Sequence, residues 1–199
     1  MLSCNNVVLK INDQILFSIG FTLFSGSVVY LRGANGSGKS SLLRIISGIQ
    51  APSQGEVLFC GKPISTLDKP YANYIGHNIG IKDELTVLEN LAIWSRLYNS
   101  SIALPSSIHY FGLAEILHDK AYTLSKGNRQ KVALARLLSC ASDLWLLDEV
   151  ETHLDDKNQA LLNNLISVKA NNGGIIIICS HLESKIKNAI EIEMGDFSG

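Results

Sequence analysis

Gly33-Ala34-Asn35-Gly36-Ser37-Gly38-Lys39-Ser40 is a G-x-x-x-x-G-K-[ST] loop, set between the apolar run Val28-Val29-Tyr30-Leu31 and a helix-like stretch. Its glycines let the backbone bend around a pyrophosphate with N–H groups turned inward, where a Cβ would block the approach. On this reading Gly33, Ala34, Asn35, Gly36, Ser37, Gly38, Lys39, Ser40 and Ser41 form the nucleotide-binding segment. Lys39 reaches the β and γ phosphates, and Ser40 offers its hydroxyl to Mg²⁺. Leu42, Ile45, Ile46 and Ile49 recur at i, i+3, i+4 and i+7, which predicts one helical face across residues 42–49 with Gly48 near its end. The phosphates then meet a helix N-terminus, where free N–H groups and the macrodipole favour anions. A plain glycine turn is the alternative, and the strand and helix flanks argue against it.

Three apolar runs, Val28–Leu31, Leu144–Leu147 and Ile175–Cys179, read as buried parallel strands, each followed by a polar tip. Open α/β sheets bind ligands beyond the carboxyl ends of their strands, which assembles Gly33–Ser40, Asp148-Glu149 and Ser180-His181 along one edge. Asp148 is the candidate to hold hydrated Mg²⁺ opposite Ser40, and Glu149 the general base for a water attacking the γ phosphate. Two acids merely solvated at a strand tip are the alternative to that pairing.

Val7–Lys10, Phe21–Leu23 and Gly55–Phe59 read as strands of a flanking antiparallel layer, broken by turn signals at Asn12-Asp13 and Pro52-Ser53-Gln54-Gly55. From about residue 83 to about 136 the pattern turns helical. Thr86-Val87-Leu88-Glu89 is a capping box, and Leu88, Leu91, Ala92 and Ser95 continue the helical period. Ile93, Trp94, Leu97 and Tyr98 fit either the core or a groove that receives a partner helix.

The chain has 199 residues, 46% of them hydrophobic, and only four prolines, enough for one well-buried domain. No apolar run reaches the roughly 18 residues that a membrane-spanning helix needs. The start, Met1-Leu2-Ser3-Cys4-Asn5-Asn6, lacks a basic region and a hydrophobic export segment, which predicts a cytoplasmic location. Cys4, Cys60, Cys140 and Cys179 show no C-x-x-C spacing and read as buried thiols. A net charge of −1 without a Lys/Arg block argues against a nucleic-acid partner.

With these motifs in place, the chain resembles the nucleotide-binding subunits of ABC transporters over essentially its whole length. Leu124-Ser125-Lys126-Gly127-Asn128-Arg129-Gln130 stands where that family carries its LSGGQ signature. Ser125 and the N–H groups around Gly127 open a helix running through Val132, Ala135 and Arg136, which makes a second anion site. The resemblance implies an α/β P-loop NTPase with a RecA-like core, a flanking antiparallel β layer and an inserted α-helical subdomain. It also implies one nucleotide-binding domain over residues 1–199, with the core at about 1–82 and 137–199 and the helical subdomain at about 83–136. ATP and Mg²⁺ are the implied ligands. Two copies are expected to form a homodimer head to tail, with Ser125 and Gly127 of each serving the ATP held by the other. Thr152-His153-Leu154-Asp155 resembles the family's D-loop, and His181 resembles the switch histidine that contacts the γ phosphate. An ordinary surface or capping histidine is the alternative for His181.

Departures from the family narrow the resemblance. Lys126 replaces the first glycine of the signature, Asn128 its glutamine, and Val150 the proline that usually follows the DE pair. His77 stands at the Q-loop glutamine, as a candidate catalytic residue. Lys10 and Ile11 lie near the place of the adenine-stacking aromatic, leaving Phe17 as a substitute. Gly76-His77, Gly80-Ile81-Lys82 and Glu84-Leu85-Thr86 are similar to the heme exporter ATP-binding subunits of bacterial cytochrome c maturation. That group implies a peripheral protein on the cytoplasmic face of the inner membrane, bound to separate integral membrane subunits, with heme handled by those partners and no direct heme binding here. His77, His109, His118, His153 and His181 form no axial pair, and C-x-x-C-H does not occur. ATPases of another small-substrate transporter, non-transport ABC ATPases, a nucleotide kinase and a regulatory module without turnover remain alternatives.

A glutamine at position 77 supplies a neutral carbonyl, whereas imidazole supplies a ring nitrogen only when unprotonated. Hydrolysis by the intact complex is therefore expected to fall in mild acid and His77→Gln to hold its rate there. Paired pH–rate profiles check this, and superimposable profiles would remove the idea.

Overall fold

The computed structural model describes residues 1–68, 70–100, 104–152 and 154–195. They divide into two compact units. The first comprises Met1–Tyr74, Asp143–Glu149 and the chain from Ile166 onward, and the second Ile75–Ser142 and Val150–Leu165.

In the first unit, β1 (Leu2–Ile11), β2 (Gln14–Leu23), β4 (Gln54–Phe59) and β5 (Lys62–Pro63) form an antiparallel sheet in the order β2-β1-β4-β5. The expected strands Val7–Lys10, Phe21–Leu23 and Gly55–Phe59 all fall inside it. Asn12 and Asp13 join β1 to β2 with φ of 50° and 62°, the left-handed pair that a two-residue hairpin matched to strand twist requires. A bulge between Cys4 and Val7 shifts the side-chain alternation by one residue. Leu2 and Cys4 before it, and Val7 and Leu9 after it, consequently all reach the core.

A second sheet runs β6 (Ala72–Ile75), β7 (Leu144–Asp148), β8 (Ile175–Cys179), β3 (Val28–Arg32), β9 (Ile190–Glu193), in that order. β7, β8, β3 and β9 are parallel, neighbour to neighbour. Every residue of β7 and β8, and Val28–Leu31 of β3, is buried, as strands covered on both faces must be. The three runs expected as buried parallel strands are found there. β6 and β9 carried no comparable signal, because β9 reads Ile-Glu-Ile-Glu and is largely exposed.

Helix α1 (Lys39–Ile46) buries Leu42, Leu43, Ile45 and Ile46 completely against this core. The expected face through Ile49 is corrected. The helix stops at Ile46, Gly48 turns left-handed at φ 73°, and Ile49 is 65% exposed. Gly48 thus ends the helix ahead of the fourth apolar position. Cys4, Cys140 and Cys179 are buried, but the expectation of a buried Cys60 is also corrected. Cys60 sits exposed at φ 52° in the turn joining β4 to β5, where a turn leaves nothing to pack over it.

The second unit contains α2 (Val87–Leu97), α3 (Leu104–Tyr110), α4 (Lys126–Ser139) and the first turns of α5 (Asp156–Asn171). The capping box at α2 is made from both sides. Thr86 N–H donates to Glu89 Oε2 at 2.7 Å, and Glu89 N–H to Thr86 Oγ1 at 3.2 Å. Asn90, 2% exposed, then ties the approach to the helix, accepting from Lys82 N–H and donating to the carbonyls of Lys82, Leu85 and Thr86.

Two substitutions test these local arguments. Removing the Thr86 hydroxyl leaves the Glu89 N–H without its cap, so Thr86→Ala is expected to lower unfolding free energy by about 1 kcal/mol. The same Thr86 hydrogen bonds hold the Glu89 carboxyl below its usual range. A depressed folded-state carboxyl stabilises above its unfolded pKa, so the advantage of wild type over Glu89→Gln is present at neutral pH and disappears as acid protonates the folded form. Melting temperatures of both proteins across that range check the sign. Separately, a Cβ on Gly38, at φ 95°, would stand 2.6 Å from the Phe17 ring. Gly38→Ala is expected to cost about 1–3 kcal/mol through strain at the α1 start, read by denaturant unfolding.

Candidate active site

The first unit carries the phosphate loop between β3 and α1. Ala34, Asn35 and Gly36 form an exposed tip, closed by Ser37 N–H donating to Ala34 O at 3.2 Å. Lys39 is 7% exposed, and its ammonium donates to the carbonyls of Gly33 (2.7 Å) and Ala34 (2.9 Å). Those two bonds satisfy a cation held at the mouth of an anion cradle. Ser41 accepts from Arg44 one turn on, at 3.1 Å.

Across the edge, Ser40 Oγ donates to Asp148 Oδ1 at 3.1 Å. Tyr74 OH lies 3.5 Å from Asp148 Oδ2, and the Cys179 thiol hydrogen-bonds the same carboxylate. Burial, reinforced by Asp148, pushes the Tyr74 hydroxyl up to about 12 and raises the Cys179 thiol well above its ordinary value. Both neighbours therefore stay protonated and act as donors to Asp148. A hydroxyl and a carboxylate converging on one point are the hard oxygen ligands that Mg²⁺ takes, so the residues present fit that ion.

Glu149 follows at φ 53°, a left-handed conformation uncommon for a side-chain-bearing residue. Its N–H is fixed to Cys179 O at 2.9 Å, and its Oε1 lies 3.4 Å from His181 Nε2. Both side chains are about half exposed, at 44% and 55%, and so open to solvent. Lys39, Ser40, Asp148, Glu149 and His181 thus occupy the carboxyl-end edge that the strand pattern indicated.

In the second unit, Ser125 caps α4, accepting the Asn128 N–H at 3.2 Å, with Gly127 in the first turn. His77 lies exposed in the bend after β6. Of the D-loop reading, His153 lies outside the described residues. The patch on α2 divides. Ile93 (47%) and Leu97 (51%) face outward. Trp94 donates Nε1–H to Gly80 O at 3.3 Å and lies under the Arg136 guanidinium, 4.1 Å from ring centroid to Cζ. Gly80, at φ 69°, passes so close that a Cβ would meet Trp94 at 3.0 Å and Arg136 at 3.1 Å. Arg136 is 2% exposed, and desolvation pulls its pKa down to about 10.

Phe17 as a stacking aromatic is corrected. It is 1% exposed and packed under Gly38, so neither ring face is open. Sequence reasoning also passed over Arg32. From the end of β3 its guanidinium donates to the carbonyls of Ser180 and Leu182, on either side of His181, and to Glu191. The available signal was a lone cation closing an apolar strand one residue before Gly33. Tyr74 and Cys179 gave none, since neither type by itself indicates chemistry beside a carboxylate.

Residues 16–152 match the family model described as ABC transporter. The "Cytochrome c biogenesis ATP-binding export protein CcmA" of Rickettsia felis is 54% identical over 95% of this chain and 97% of its own. Its namesake in Nitrosospira multiformis is 40% identical over 89% of each chain. Among solved structures, a putative ABC transporter ATP-binding protein from Pyrococcus furiosus superposes with TM-score 0.83 at 24% identity, covering 97% of this chain and 96% of that one. A dimeric bacterial ABC transporter cassette gives 0.81 at 22%, over 98% and 95%. With an ATPase fold and a near-full-length match of this quality, the chain belongs to the ABC transporter family and, within it, to the ATP-binding export proteins of cytochrome c biogenesis.

Proposed function

We propose that the chain is the ATP-hydrolysing subunit of a heme exporter in c-type cytochrome biogenesis, peripheral on the cytoplasmic face of the inner membrane. The observation that carries this reading is the convergence of Ser40, Asp148, Glu149 and His181 beside a phosphate loop in a member of that group. The loop N–H groups and Lys39 grip the triphosphate at the α1 N-terminus. Ser40 and Asp148 would hold Mg²⁺, which would neutralise charge on the β and γ phosphates. Glu149 orients a water and takes its proton as the oxygen bonds to γ phosphorus and the bond to the β,γ-bridging oxygen breaks. His181 donates to the γ phosphate, and His77 contributes from its own loop. Ser125 and Gly127 complete the ATP site of a second copy, so turnover requires the homodimer.

Ile93 and Leu97, four residues apart and exposed on α2, suit a short helix of an integral membrane subunit. Through such a contact ATP-driven closure moves the transporter, while heme stays with the partners. Among the described residues no cluster of three or more His, Cys, Asp or Glu is arranged to hold a metal ion, and no helix is long and apolar enough to cross a membrane.

The decisive experiment purifies Glu149→Gln with its native membrane companions in gentle detergent, with and without MgATP. Hydrolysis is expected to drop about a hundredfold or more. Paired ATP-binding subunits should accumulate with MgATP, and heme-handling membrane proteins should co-purify. A subunit that stays unpaired, or companions belonging to another transporter, would overturn the assignment.

A further inference from the structure

Arg32 lies outside every motif, yet its side chain bonds carbonyls on both sides of His181. One Nη1 donates to Ser180 O and, at 2.7 Å, to Leu182 O, while Nη2 and Nε reach Glu191 Oε1 at 3.0 and 3.2 Å. The side chain is 16% exposed and leans across the Tyr30 ring at 4.9 Å, which fixes its direction. At the other end of the same residue, the Arg32 carbonyl accepts from Met194 N–H at 2.9 Å. Within the Ser180–Leu182 turn, Leu182 N–H donates to Ser180 Oγ at 3.0 Å. His181, at the tip, is the residue between the two carbonyls that Arg32 holds.

We infer that Arg32 is a positioning residue for the proposed ATPase: by holding the carbonyls on both sides of His181, it sets where that imidazole stands beside Glu149. The inference rests on the role given to His181 above. Chemistry favours arginine for this task. One nitrogen of its planar fork, Nη1, reaches both carbonyls while Nη2 and Nε grip Glu191 and fix the plane, whereas a lysine ammonium is a point charge on a flexible stem. Charge-assisted bonds to carbonyls are also among the stronger ones available to such a turn. Arg32 immediately precedes Gly33, whose carbonyl accepts Lys39, so one strand end anchors both the phosphate loop and the histidine turn. An imidazole displaced by about 1 Å from its working position can cost a large factor in rate with little effect on nucleotide binding.

The test uses the intact complex and the variants Arg32→Met, Arg32→Lys, His181→Ala, Arg32→Met with His181→Ala, and Glu191→Gln. Arg32→Met is expected to lower kcat at least about tenfold with KM for ATP within about twofold. Arg32→Lys should recover little, because an ammonium bonded to both carbonyls has no second and third nitrogen for Glu191 to hold in plane. Glu191→Gln should stay within about twofold of wild type, since both carbonyl bonds remain. The double variant should be no slower than His181→Ala alone, because Arg32 acts through that histidine. A merely structural arginine predicts multiplied losses, and that result, or an unchanged kcat in Arg32→Met, overturns the inference. Amide exchange at residues 181–183 provides an arm free of the activity assay. Faster exchange there in Arg32→Met, with β3 and β8 unchanged, supports the tether, and unaltered exchange refutes it. If His181→Ala hydrolyses ATP like wild type, the role assigned to His181 fails by itself and the exchange arm still judges the tether.

Discussion

Three neighbouring strands, β3, β7 and β8, are buried on both faces, so they can carry polar chemistry only where they end. That constraint organises the first unit. Desolvating a charge inside such a sheet is prohibitive, and the carboxyl ends are where the backbone turns outward and polar side chains find water or ligand. Arg32, Asp148 with Glu149, and Ser180 with His181 all stand at those ends. The parallel register that pairs Asp148 with Cys179 and Leu31 with Cys179 brings the three tips into one row. Packing of isoleucine, leucine and valine therefore determines where the acids and the histidine meet, although none of those apolar residues touches a reacting group.

The most legible parts of the sequence were those where one residue type has one physical use. A glycine-rich loop after an apolar strand, a buried run ending in Asp-Glu and a Thr-x-x-Glu box each predicted a geometry that is present. Legibility failed where position depends on distant packing. Ile49 had the right spacing for the α1 face, but Gly48 takes a left-handed conformation and the chain leaves the helix first. Phe17 had the right chemistry for stacking, but its alternation in β2 turns it inward with Leu23, where it packs under Gly38. Cys60 differs from the other thiols only because a turn places it outside. The contacts of Tyr74, Cys179 and Arg32 join residues far apart in the chain, and no local period encodes them.

The second unit shows how a buried cation can be accommodated by packing. Arg136 is nearly inaccessible, and its depressed pKa records the cost of that burial. The Trp94 ring face compensates in part, and Gly80 lets the backbone approach both side chains without a Cβ in the way. The α2 period then has three uses. Leu91 and Ser95 pack inward, Trp94 holds the loop that follows His77, and Ile93 and Leu97 are left facing solvent. A pattern of apolar residues at helical spacing could not separate these uses, because the indole's hydrogen bond and its cation partner lie on other elements.

The departures at the signature and after the DE pair become intelligible once the bonds are assigned to backbone or side chain. Ser125 accepts from the Asn128 backbone N–H, so the cap survives whatever side chain position 128 carries. Lys126 is exposed at the first position of α4, where its charge opposes the helix dipole unless an anion is nearby. Val150, in place of the usual proline, is 1% exposed, and its carbonyl accepts from the buried Gln130 side chain at 2.7 Å. That bond uses an oxygen that both residue types possess, and it satisfies an amide that is otherwise shut away from water. What the Val150 position supplies to α4 is therefore a buried acceptor and an apolar side chain, and valine meets both requirements without the fixed φ of proline.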